Sequence, residues 1–172
     1  MTSSEHIRRS IEQVAAYLAD HPEVARSTDS TASAVMEGGL RARVVGPGGV
    51  TVHSDMPTAV GGGGTAPSPG WLLRAALAAC DATLVAMEAA RVGLELASLE
   101  VEVGSESDDR GLLGVGDGIP AGPLAVRTVI RVAVSAADQE RLAAVLAAAE
   151  AHSPVADALR RSVAVETRVE RA

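Results

Sequence analysis

The sequence predicts an α+β fold built on antiparallel sheets. Three observations carry that prediction. Short runs of alternating apolar and polar residues are set off by glycine pairs, the punctuation of hairpin strands. The strands come in groups, with helices between and after the groups, so the strand-helix alternation of a parallel sheet is absent. One helix is apolar on almost every side and needs cover all round. A length of 172 residues allows one domain with a sizeable core.

In chain order, Ser3 or Ser4 can cap a first helix on which Ile7, Ile11, Val14 and Leu18 recur at helical spacing, and Pro22 follows its end. A single apolar stripe on a polar helix reads as an appendage packed on a larger body. Three strands are expected at Thr31–Glu37, Leu40–Val45 and Val50–Asp55, joined by turns at Gly38-Gly39 and Gly46-Pro47-Gly48-Gly49. In the middle strand Arg41 and Arg43 share the face opposite Leu40, Ala42 and Val44. Pro57–Ser68 is glycine-rich. Thr65-Ala66-Pro67 separates Gly61–Gly64 from the next helix, so the loop is no phosphate cradle and reads as a flexible connector.

Ser68 caps the long helix and Pro69 occupies its first position, where a missing N–H costs nothing. The helix is expected over Trp71–Val92, with Gly93 as its stop. Arg74, Asp81 and Glu88 recur every seventh residue and read as one narrow wet strip on an otherwise apolar cylinder. A second copy of the chain can supply the missing cover, and the many alanines permit close backbone approach. Leu99, Val101 and Val103 alternate with Glu100 and Glu102 as a half-buried strand. A longer strand over Leu124–Val134 carries Arg127 and Arg131, which can pair with those glutamates. The loop Gly104–Pro123 between them is long enough to be either mobile or packed on something. Helices are expected from Ser135 with Asp138 to Ala151 and from Ser153-Pro154 to Arg161, followed by a closing strand through Val163, Val165, Thr167 and Val169.

Composition narrows the function classes. Every basic residue is Arg, and a net charge of −7 argues against broad nucleic-acid binding. One Cys excludes an internal disulfide and a multi-thiol zinc site, and His6, His21, His53 and His152 lack metal-ligand spacing, so neither metal nor cofactor is expected. The longest unbroken apolar run, Leu142–Ala149, is too short to span a bilayer, and Met1–Arg9 does not read as a signal peptide. No membrane partner and a reducing cytoplasmic setting are expected.

The candidate chemistry rests on Cys80, about three turns into the apolar helix. Two readings stand side by side: a small buried hydrophobe, or a nucleophile. A nucleophile must be a thiolate. The helix dipole fades within the first turn and cannot stabilise it there. A cation is required, and Arg41 or Arg43 is the available type of group. Asp81 points about 100° away from Cys80 around the helix and is assigned to the wet strip. Ser153 is read as an N-cap.

The stretch Asp55-x-Pro57, Gly61-Gly62, Pro67-Ser68-Pro69 and Leu72-Leu73-x-Ala75-Ala76-Leu77-x-x-Cys80 resembles the OsmC/Ohr superfamily. So do Ser98–Val103 and His152-Ser153-Pro154-Val155 with Ala158-Leu159, covering roughly residues 30–170. The resemblance implies residues 30–172 as a single OsmC-like domain, with residues 1–29 as an N-terminal helical extension. It further implies an intertwined homodimer in which antiparallel sheets wrap two long central helices. The implied activity is thiol-dependent reduction of organic hydroperoxides. In the family pattern a helix Cys attacks the peroxide, an Arg stabilises the thiolate, a Glu near the helix start orients that Arg, and a second Cys resolves the sulfenic acid.

Here Cys80 matches the attacking position, and Arg41 and Arg43 both lie in the right strand. Ser153 holds the resolving position, and the expected Glu falls on Trp71 or Gly70. Trp71 and His152 are pocket candidates. Three functions follow from the resemblance: a one-Cys peroxidase with an external thiol reductant, a degenerate relative binding a small apolar ligand at the dimer interface, or a redox sensor.

Overall fold

A computed structural model describes residues 2–171; Met1 and Ala172, the outer limits of the expected extension and domain, lie outside the described residues. The fold is α+β with antiparallel sheets, in the order α1 (Ser3–Asp20), β1 (Ser33–Gly38), β2 (Arg41–Val45), β3 (Thr51–Ser54), α2 (Pro69–Arg91), β4 (Ser98–Glu106), α3 (Asp109–Leu113), β5 (Ala125–Ala133), α4 (Gln139–His152) and α5 (Pro154–Arg160). The chain forms two compact units. One takes the start of the chain to Arg8, Leu77–Val101 and everything from Ile130 onward; the other takes Arg9–Ala76 and Glu102–Val129.

The second unit contains the three-stranded sheet β1-β2-β3. Val35 lies opposite Arg43 across the first hairpin, and a bulge between Met36 and Gly38 places Glu37 out of register. The turn needs positive φ, which Gly38 (137°) and Gly39 (54°) supply. Across the second hairpin Arg43 lies opposite His53. The only buried residues among those described in this unit are polar, Ser54 and Asp55, while Val35, Met36, Trp71, Leu112 and Leu113 are exposed. The loop Gly104–Pro123 folds on itself around α3. Asp108 caps that helix by accepting from the Arg110 N–H, and a Cβ on Gly111 would lie 2.0 Å from the Pro120 carbonyl oxygen.

The first unit holds the apolar core, where Ala89 and Leu94 meet Val145, with Leu96 and Val134 against them. β4 and β5 form a two-stranded sheet. The Ala97 N–H bonds the Ala133 carbonyl at one end, and the Leu124 N–H bonds Glu106 at the other, which fixes an antiparallel register. That register pairs Arg131 with Glu100 at 3.5 Å and Arg127 with Glu106, rather than Glu102, at 2.5 Å.

Four expectations are corrected. Thr2, not Ser3 or Ser4, caps α1 in a reciprocal box with Glu5: its hydroxyl accepts from the Glu5 N–H, and its own N–H donates to Glu5 Oε2. The apolar stripe of α1 is only partly covered, with Ile7 and Ile11 half-buried, Val14 and Leu18 exposed and no described residue of the helix fully buried. No strand forms over 163–170, and Val165 and Val169 are exposed there. Alternation makes a strand only where a neighbour completes the ladder, and none of the described residues does so. The fourth correction concerns the polar strip of α2. Glu88 is among the most buried residues of the helix and Asp81 is half-buried, whereas Trp71 and Leu73 are exposed. By length and composition α2 is long and apolar enough to cross a membrane. Its acidic residues Asp81 and Glu88 are nevertheless bonded to Ser153, the cap of α5, and His152, the last residue of α4.

Candidate active site

Cys80 meets Ser153, its Sγ lying 3.4 Å from the serine Oγ. Ser153 precedes Pro154 as the N-cap of α5 and accepts from the Ala156 N–H at 3.3 Å. The same oxygen donates to Asp81 Oδ1 at 2.7 Å. A hydroxyl has one hydrogen and two lone pairs. The hydrogen goes to Asp81 and one lone pair receives Ala156, so the contact with sulfur uses the second lone pair and Cys80 is the donor. Ser153 is buried and Cys80 half-buried. Asp81 is therefore a member of this group and not part of a solvated strip. Helical spacing sets the angle between neighbouring side chains, but a third element can bridge that angle, as Ser153 does.

Two turns beyond, Glu88 accepts from His152 Nδ1 at 3.2 Å and pairs with Arg91 at 3.6 Å. A nearly buried carboxylate needs such partners. This gives His152 a role in anchoring the end of α4 to α2.

The arginines lie in the other compact unit. Arg41 Nε is 3.4 Å and Arg43 Nε 3.1 Å from the Glu37 carboxylate, and His53 Nε2 lies 3.5 Å from it. Arg41 also donates to Thr65 Oγ1 at 2.6 Å. One carboxylate thus orients both guanidiniums on a single face of the β1-β2-β3 sheet. Glu37 was missed by sequence reading, since alternation alone does not reveal that the bulge turns its side chain toward Arg41 and Arg43. An acidic residue just before Gly38-Gly39, with two arginines just after, was the available signal. The structure gathers Cys80, Asp81 and Ser153 in one group, and Glu37, Arg41, Arg43 and His53 in another.

The glycine-rich segment is an ordered loop rather than a flexible connector. Asp55, itself buried, accepts from the N–H groups of Met56, Gly63 and Thr65 and from the Thr65 hydroxyl. Gly62 passes so close that a Cβ there would lie 1.8 Å from the Met56 carbonyl oxygen. The loop returns where the Asp55 N–H bonds Pro67. Asp55, Pro57, Gly64, Ala66, Pro67, Ser68, Trp71 and Arg74 line a cavity of about 450 Å3.

The Thr65 N–H and hydroxyl, followed by the Gly63 and Met56 amides, hold the Asp55 carboxyl below its ordinary range against the opposing effect of burial. A carboxyl depressed in the folded state stabilises above its unfolded value, and that stability is lost as pH falls through the folded value. The loop is therefore expected to stay closed above about pH 4 and to open progressively below it. Hydrogen exchange at the Gly63 and Thr65 amides, followed through that range, checks this. In Asp55→Asn those amides should exchange fast already at neutral pH.

The family model described as OsmC-like protein matches residues 61–168. No curated protein matches the chain. Among solved structures, an organic hydroperoxide resistance protein OsmC from Legionella pneumophila is 20% identical, aligns over 78% of this chain and 91% of its own, and has a TM-score of 0.57. An OsmC like protein from Mycoplasma pneumoniae is 14% identical over 81% of this chain and 91% of its own, with a TM-score of 0.63. The organic hydroperoxide resistance protein OhrB of Bacillus subtilis is 22% identical over 78% and 93%, with a TM-score of 0.51. These likenesses agree with the observed strands and helices, and the family match extends through α2 and across α5. The chain belongs to the OsmC-like protein family.

Proposed function

We propose that this chain is a one-cysteine thiol peroxidase that reduces organic hydroperoxides with an external thiol. The observation that carries the reading is the 3.4 Å contact between Cys80 and Ser153. It sets the sole thiol against the position where the family pattern has its second cysteine, with a hydroxyl in its place. Attack of the Cys80 sulfur on the peroxide O–O bond forms an S–O bond and releases an alcohol, leaving the sulfenic acid. The thiol proton has a route through Ser153 Oγ to Asp81 and returns by it to the departing alkoxide. An external thiol then displaces the sulfenic oxygen as water, and a second thiol releases Cys80 and leaves with the first as a disulfide. The attacking sulfur needs a positive charge, and Arg41 and Arg43, which share the Glu37 carboxylate, are the residues that the family resemblance assigns to that part. Steady-state consumption of cumene hydroperoxide with a dithiol reductant tests it.

A second reading is a non-catalytic binder, and the hydrogen-bond count at Ser153 favours it. A sulfur that donates to Ser153 is a thiol, and the thiol is not the attacking form. Absence of turnover, together with ligand-dependent stabilisation that persists without the thiol, selects this reading.

Both readings include a homodimer. Support comes from the unit around β1-β2-β3, which buries no apolar side chain completely among its described residues, and from exposed Trp71 and Leu73 on α2. Apolar surface of that extent needs cover. Sedimentation at micromolar concentration is expected to give a dimer, and the melting temperature is expected to rise with protein concentration. A monomer with a concentration-independent melt would refute it. A reducing compartment such as the cytoplasm fits a lone thiol that depends on an external reductant.

A further inference from the structure

The cavity beside the start of α2 has a chemistry that Cys80 does not explain. Its volume, about 450 Å3, lies within the range of about 300–1,000 Å3 typical of small-molecule clefts. Pro57, Ala66, Pro67 and Trp71 give it apolar walls. Its charged lining is Asp55 and Arg74. The two do not play equivalent parts. Asp55 is saturated: three backbone amides and the Thr65 hydroxyl occupy its oxygens from within the loop. Arg74 makes one hydrogen bond among the described residues, from its Nη1 to Ser105 Oγ at 3.0 Å. A guanidinium has five N–H donors, so most of the fork is left for another acceptor. No carboxylate lies within ion-pair distance of Arg74 among the described residues.

We propose that this cavity binds a small monocarboxylate with an apolar body, the carboxylate on Arg74 and the body against Trp71 and the Pro57 and Ala66 walls. The guanidinium matches a carboxylate in plane and can bind both oxygens. The apolar walls and the aromatic ring select a hydrocarbon or aryl body over a small inorganic ion. The site stands on one compact unit and goes beyond the thiol chemistry, since none of its lining residues is Cys80, Asp81 or Ser153.

Trp71 is the only tryptophan, so its emission reports occupancy directly. Full-length protein is titrated with sodium decanoate below its micellar range, with decanol as the uncharged control. A saturable change in emission with decanoate is expected, with decanol at least about tenfold weaker. Arg74→Gln is expected to weaken decanoate by about the same factor, and Arg74→Lys to fall between. Should Arg74→Gln fold poorly because Ser105 loses its partner, Ala66→Leu fills the cavity from another wall and is expected to abolish the emission change. Cys80→Ser should leave the titration unchanged, which separates this proposal from the peroxidase reading. The proposal is overturned if decanoate produces no saturable change in emission or melting temperature. Equal binding of decanol, or of decanoate by a folded Arg74→Gln or Ala66→Leu protein, overturns it as well.

Discussion

Cys80→Ser is expected to reduce organic hydroperoxide consumption by roughly a thousandfold or more, because it removes the only sulfur that can accept the peroxide oxygen by nucleophilic attack from a thiol. The substitution is structurally mild. A serine hydroxyl at position 80 can donate to Ser153 as the thiol does, so the network through Asp81 stays paired. Thermal stability should change little, and the loss of activity will then report on chemistry alone. Mass spectrometry of the unsubstituted chain after one equivalent of cumene hydroperoxide, with dimedone as trap, should place one sulfenic acid on Cys80. Equal hydroperoxide consumption by Cys80→Ser and the unsubstituted chain would refute the peroxidase reading.

Ser153→Cys is expected to convert the site to disulfide chemistry. The serine oxygen already lies 3.4 Å from Cys80 Sγ, and the position is held by the cap of α5. The introduced thiol should displace the sulfenic oxygen as water and close a disulfide with Cys80. One equivalent of hydroperoxide should yield the oxidised chain, lighter by two hydrogens, and a dithiol should restore it. The two positions are 73 residues apart, and for a loop of that length chain-entropy reasoning gives up to about 4 kcal/mol of added stability in the oxidised form. The reduced form should be less stable than the unsubstituted protein. A thiol is a poor donor to Asp81 and a poor acceptor for Ala156, and unpaired buried groups cost about 1–3 kcal/mol each. Turnover with monothiols should fall as turnover with dithiols rises. A variant that accumulates the sulfenic acid without forming the disulfide would show that the two positions do not approach closely enough to react.

The sequence made the architecture readable where local chemistry decides it. Glycine pairs with positive φ mark the hairpins, Ser68-Pro69 opens α2, and Ser153-Pro154 opens α5. The alignment of Ser153 with a resolving position rests on motif order, whereas its 3.4 Å approach to Cys80 is a contact between residues distant in sequence. What stayed hidden depends on contacts distant in sequence. Seven-residue spacing groups Arg74, Asp81 and Glu88 on one face of α2, but it cannot say whether water or another helix lies over that face. Here Ser153 and His152 meet Asp81 and Glu88. Glu37 became an organiser of two arginines through a bulge that no alternation pattern announces. The apolar alternation near the C-terminus promised a strand whose hydrogen-bonding neighbour is absent among the described residues.

The close passage of Gly62 over Met56 also bears on how this chain can vary. A side chain at Gly62 would displace the Met56 carbonyl, which receives the Gly64 N–H, and would pull on the amides gathered around Asp55. A stretch whose composition suggests an interchangeable spacer is thus among the least tolerant of substitution. Insertions or replacements there would displace Asp55 and Gly64, and with them part of the wall of the cavity beside the start of α2.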